Sequence, residues 1–149
     1  MKSVNLNDPV LIDTDVISYM HNEYSLANAY RKLLVNRQAF VSLQTIAEMK
    51  HGSLLKNWGE KRRLHLENFL TNYTLILPTD TTATYWAQLR TQVRSIGRHI
   101  AAGDAWIAAT ALEHDLVLVT HNVKDFEAVD GLQILSLNIK KSTGDSRET

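Results

Sequence analysis

Acidic residues recur in this chain at the ends of short apolar runs, where an acid can do chemistry. In "LIDTDVIS" the apolar run closing on Ile12 leads into Asp13 and Asp15. Glu48 lies in "SLQTIAEMKHG", Asp104 in "AAGDAWIAATAL", and Asn122 and Asp125 in "VTHNVKDF". Each has an ordinary structural explanation when taken alone. Asp13 and Asp104 stand where helix caps stand, Thr45 and Glu48 have capping-box spacing, and Asn122 and Asp125 suit a turn. Taken together they imply more. Clustered carboxylates raise one another's pKa unless a cation sits between them. Oxygen donors without cysteine select a hard ion, Mg²⁺ or Mn²⁺. Such an ion activates water and braces a phosphodiester oxygen. Asp13, Glu48 and Asp104 are therefore the expected catalytic and metal-holding set, with Asn122 and Asp125 close by after the fourth apolar run. Thr14, Asp15 and Thr120 are expected to support it, Asp15 by bracing the loop rather than binding the ion.

The elements that must position these groups can be read from hydrophobic pattern. Continuous apolar runs at 10–12, 39–42, 73–78, 116–120 and, at an edge, 132–137 suit strands covered on both faces. The stretches between them carry apolar residues at helical spacing. Leu26, Ala29, Tyr30, Leu33 and Leu34 mark one helix, and Ala83, Trp86, Leu89, Val93 and Ile96 mark another that ends at Gly97. "GDAWIAATALEHD" forms a third. Alternating strands and helices imply a layered α/β domain with right-handed crossovers. Ligands in such sheets bind beyond the carboxyl ends of the strands. The acids converge there if the first and fourth strands are neighbours.

The 149 residues suit one domain, and 16 basic residues balance 16 acidic ones. A chain of zero net charge has no global field for nucleic acid, so an anionic partner must be held by a local patch or through a metal. Arg90, Arg94 and Arg98 recur every four residues before Asp104, which is either a solvated face or a phosphate-tracking RNA-binding stripe. There is no cysteine, which excludes disulfides and thiolate chemistry. No apolar stretch approaches a membrane span, and the start lacks a signal-peptide core. A cytoplasmic protein without membrane contact is expected. The histidines at 51, 65, 99, 114 and 121 show no zinc spacing and are expected at the surface, and the three tryptophans are expected in packing.

The blocks "VLIDTDVIS", "TIAEMKHG" and "GRHIAAGDAWIAATALEHDLVLVTHNVKDFEAVDGLQIL" together resemble the PIN-domain nucleases, in particular the VapC-type toxins of bacterial toxin–antitoxin pairs. The resemblance spans nearly the whole chain. It implies a PIN-like three-layer α/β/α fold with a central parallel sheet of four to five strands. The nuclease domain would cover residues 1–140, with a polar tail over 141–149. It implies RNA cut by metal-activated water with Mg²⁺ or Mn²⁺. It also implies a homodimer neutralised by a VapB-type antitoxin that inserts a segment into the acidic groove. By position, the family's acids fall on Asp13, Glu48 and Asp104, while its fourth position falls on Asn122, for which Asp125 either substitutes or caps a turn. Asp15 stands where these toxins often carry Asn. Two alternatives remain at this point. One is a haloacid dehalogenase-like phosphatase with Asp13 as nucleophile, although Thr120 then comes in the wrong order. The other is a non-catalytic PIN-like RNA-binding or scaffold module, which would have no need of the acids.

Overall fold

The computed structural model describes residues 4–138. The expected tail at 141–149 and the outer ends of the domain lie outside the described residues. Five parallel strands form the sheet: β1 (Val10–Ile12), β2 (Ala39–Ser42), β3 (Thr74–Ile76), β4 (Val117–Val119) and β5 (Ile134–Leu135). Their spatial order is β3-β2-β1-β4-β5. The chain builds leftward from β1 to β3 and then returns to place β4 on the other side of β1. The crevice between β1 and β4 is thus the topological switch point. Val10, Leu11 and Ile12 lie opposite Val117, Leu118 and Val119. The two strands end level with each other.

Side chains alternate across the sheet and explain the three layers. Leu11 and Leu118 face one helical layer, packing with Leu89, Val93, Ile107 and Phe126. That layer comprises α5 (Asp80–Ser95), α6 (Ala102–Glu113) and α7 (Val123–Phe126). Val10, Ile12, Val117 and Val119 face the other layer, packing with Val16, Ile17, Tyr30, Met49 and Leu66. It comprises α1 (Thr14–His21), α2 (Ala27–Leu34), α3 (Leu43–Leu55) and α4 (Glu60–Leu70). All three residues of β1 are fully buried. Each contributes roughly 1.5–3 kcal/mol by leaving water, and the strand in turn fixes whatever follows Ile12.

Candidate active site

The site is built from helix starts placed at strand ends. Asp13 is the first residue beyond β1 and caps α1, its Oδ1 accepting from Thr14 N–H at 2.8 Å. Its Oδ2 accepts from Thr120 Oγ1 at 2.7 Å, a bond from the end of β4. Thr120 Oγ1 also accepts from Asn122 N–H at 3.1 Å. Asp13 is only 5% exposed. Burial, then the neighbouring Asp15 carboxylate, push its pKa up to about 8 against the lowering pull of its two hydrogen bonds. Asp15 turns back, accepting from Val16 N–H at 2.7 Å and from His121 N–H at 2.9 Å. It ties α1 to the loop after β4, and burial raises its pKa as well.

Glu48 arrives on α3. The helix begins after Ser42, whose side chain accepts from Thr45 N–H. That cap takes the role that pairing Thr45 with Glu48 would have filled, and it leaves Glu48 in the second turn free to enter the site. Thr14 Oγ1 stands 3.0 Å from both Glu48 Oε1 and Thr45 Oγ1. One hydroxyl carries one proton. With that proton directed at the carboxylate, Thr45 donates to Thr14 and Ser42 to Thr45, giving a chain of hydroxyls that ends on Glu48. Asp104 is the third residue of α6, after a start at Ala102. Its carboxyl accepts no hydrogen bond from another described residue. Burial raises its pKa to about 6, with Asp125, Glu48 and Asp15 adding repulsion. The close approach of α6 to α3 depends on Gly103. A Cβ there would stand 2.9 Å from Gln44 Nε2 and 3.8 Å from Glu48 Oε2.

These groups line one cavity of about 330 Å³: Asp13, Asp15, Glu48, Asp104, Asn122 and Asp125, with Thr14 between the first two. The donor set is all oxygen. Among the described residues no three carboxylates stand close enough to enclose an ion directly. Asp13 already engages both oxygens, and Glu48 accepts from Thr14 and, at 3.4 Å, from Gln44. Such a set fits an ion that keeps several waters and takes only one or two carboxylates, as Mg²⁺ does.

The family model described as "PIN domain" matches residues 10–132. The chain belongs to the PIN-domain family. It is 36% identical over 131 residues to Toxin FitB of Neisseria gonorrhoeae, an alignment covering 81% of this chain and 93% of that protein. It is 28% identical over 125 residues to Ribonuclease VapC1 of Haemophilus influenzae, covering 83% and 93%. Among solved structures it superposes on VapBC2 of Rickettsia felis, bound to a DNA fragment from their promoter, with a TM-score of 0.76. There the identity is 26%, covering 85% of this chain and 97% of that one.

Within this PIN domain the arginine series departs from the sequence expectation. Arg90 and Arg94 lie on α5, but the helix ends at Ser95 and Gly97 adopts φ +74°. Arg98 therefore leaves the helical row and pairs with Glu127 at 3.1 Å. The three arginines line a different cavity, beside Trp86, that shares no lining residue with the acidic one. The histidine expectation changes at one position: His121 is half-buried, with Tyr30 Oη 2.6 Å from its Nδ1. The tryptophans pack as expected, half-buried, Trp86 and Trp58 against the two core clusters and Trp86 and Trp106 on each other. Sequence reading missed Thr45, Gln44 and Gly103, which orient Glu48. The signals were present: Ser42 precedes Thr45 at cap spacing, and a glycine stands directly before Asp104.

Among the described residues no helix is long and apolar enough to cross a membrane.

Proposed function

We propose that this PIN domain is a metal-dependent endoribonuclease and the toxin of a toxin–antitoxin pair, with Asp13, Glu48 and Asp104 as its catalytic carboxylates. The observation that carries the reading is the convergence of these carboxylates on the β1/β4 crevice, in a chain whose relatives bear the names ribonuclease and toxin. A scaffold module has no use for buried carboxylates that repel one another, and repulsion of this kind marks functional sites. The phosphatase alternative needs Asp13 free to attack, whereas both of its oxygens are engaged.

Asp13, Glu48 and Asp104 would hold the divalent ion, Mg²⁺ or Mn²⁺, with Asn122 offering a neutral oxygen and Asp125 facing the same cavity. The bound ion supplies the charge that lets a phosphodiester approach carboxylates, and it acidifies water there. The chain's own residues do the rest. Asp13 is rigid because one bond comes from its own helix and one from β4. Thr14, backed by Thr45 and Ser42, aims Glu48. Asp104, whose carboxyl accepts no hydrogen bond from another described residue, would be left to orient the attacking water and take its proton. The water oxygen then bonds to phosphorus as the bond to the leaving ribose oxygen breaks, and that oxygen takes a proton from solvent. The partners that follow are an RNA substrate, a VapB-type antitoxin and a second copy of the chain.

Asp104→Asn tests this reading. It keeps shape and removes the charge, so cleavage of RNA with Mg²⁺ or Mn²⁺ should fall on the order of a hundredfold or more, with an unchanged circular dichroism spectrum. Expression of the wild-type chain alone should arrest growth, and the variant should not. Cleavage at the wild-type rate by purified Asp104→Asn overturns the assignment.

A further inference from the structure

The acidic cavity continues past the carboxylates to a corner of opposite character. Glu48, Gly52 and Lys56 recur every four residues on α3 and its C-cap, so one helical face carries all three, and all three line the cavity. At 1.5 Å per residue, Lys56 lies about 12 Å along the axis from Glu48. Gly52 between them leaves an open floor, because a Cβ there would meet nothing within 4 Å.

Trp58 closes the far end. Its ring stacks on the buried His21 at 5.4 Å and 27°. The Arg62 guanidinium sits over the same indole at 3.9 Å and donates to Asn22 Oδ1 at 3.2 Å, while Lys56 Nζ lies 5.9 Å from the ring centroid. Neither cation forms an ion pair with a described carboxylate. Elsewhere Arg31 is paired with Glu23, Lys50 with Glu67 and Arg98 with Glu127. The Trp58 corner thus holds two uncompensated positive charges, one of them fixed in orientation by cation–π contact. It stands one groove-length from the carboxylates.

We propose that the RNA strand leaves the carboxylate centre across Gly52 and is gripped at this corner, with Lys56 and Arg62 taking a backbone phosphate beyond the one that is cut. This rests on the ribonuclease reading and names the chain's positioning residues for it. An anionic polymer cannot cross a carboxylate cluster without cations on its path. The α5 arginines open into a separate cavity, whereas Lys56 and Trp58 line the cavity of the acids and Arg62 sits on that same indole. A guanidinium seated on an indole, with one nitrogen bonded to Asn22, keeps its remaining N–H donors for a phosphate at little entropic cost.

The test uses full-length protein carrying Asp104→Asn, so that RNA is bound and not cut. Two probes are titrated at several salt concentrations: a fluorescein-labelled single-stranded RNA of mixed sequence, and bulk transfer RNA. Adding Lys56→Gln and Arg62→Gln together should weaken binding about tenfold to a hundredfold and reduce the slope of log K against log salt by about 0.7 on the single strand, the change for one phosphate no longer neutralised. Both residues are exposed, so folding is not at stake. Separately, Gly52→Leu changes no charge and meets no neighbour at Cβ, yet fills the floor. It should weaken binding while leaving the melting temperature at or above the parent's. If the double variant keeps the parent's affinity and slope, or Gly52→Leu binds as the parent does, the proposal is overturned. If the double variant binds RNA normally but escapes neutralisation by the antitoxin, the corner belongs to a protein partner and the proposal is likewise overturned. A parent protein that binds neither RNA would instead remove the ribonuclease reading, and this one with it.

Discussion

Asp13→Asn separates the cost of the site from its use. In the metal-free protein the Asp13 carboxyl is buried beside Asp15, and its pKa rises from 3.8 to about 8. The unfolded chain ionises near pH 4, so between pH 4 and pH 8 the native state binds the extra proton. Stability therefore falls as pH rises through that window and levels off above it. One pKa unit corresponds to about 1.36 kcal/mol, so the swing is on the order of 5 kcal/mol for this carboxyl. The amide keeps the shape and can still accept from Thr14 N–H. Its NH₂ can donate to Thr120 Oγ1, which has a lone pair to spare. Urea unfolding in EDTA from pH 4 to pH 9 should show the variant gaining several kcal/mol on wild type as pH rises, with the gain vanishing near pH 4. Added Mg²⁺ at pH 7.5 should stabilise wild type and not the variant, and Mn²⁺ binding below pH 8 should release protons from wild type. Parallel wild-type and variant curves across the whole range would refute the account of Asp13 as a buried, repelled carboxyl.

Gly103→Ala should push Gln44 aside and loosen Glu48. RNA cleavage should then drop several-fold while the unfolding midpoint moves little, because the displaced atom is the end of a flexible side chain. An unchanged rate would remove Gly103 from the positioning of Glu48. Asn122→Asp should tighten Mn²⁺ binding by calorimetry and lower the melting temperature in EDTA, since another like charge joins the cavity. If neither moves, residue 122 only shapes the turn before α7. Arg90→Gln with Arg94→Gln should leave the salt slope of RNA binding nearly unchanged, because both face a cavity without carboxylates. A slope reduced by about 1.4 would restore them to the RNA path.

The sequence exposes the sheet because its strands are continuous apolar runs, and it exposes the acids because they end those runs. The parallel topology then places Asp13 and Asn122 side by side without further information. Three features resist such reading. The helix α4, "EKRRLHLENFL", buries only Leu66 and Leu70 and so carries too weak a stripe to announce itself. The stop at Gly97 is legible, but the direction the chain takes beyond it is not: Arg98 turns off the α5 row to pair with Glu127. The cations at Lys56 and Arg62 lie only two and four residues from Trp58, but their meeting on its ring depends on the turn between α3 and α4, which hydrophobic pattern does not mark.

The bond from Thr120 to Asp13 joins residues 107 positions apart, and that from His121 to Asp15 joins residues 106 apart. β1 is the first strand made and β4, its neighbour, almost the last. Closing so long a loop comes late in folding, since the entropy lost is repaid only when β4 docks. A chain still on the ribosome exposes one edge of β1, with Asp13 untethered and Asp15 unbraced. Threading order thus acts as a timer: the cutting centre does not exist until Thr120 and His121 have emerged and β4 has docked, and a ribosome making a ribonuclease carries one that is not yet able to cut.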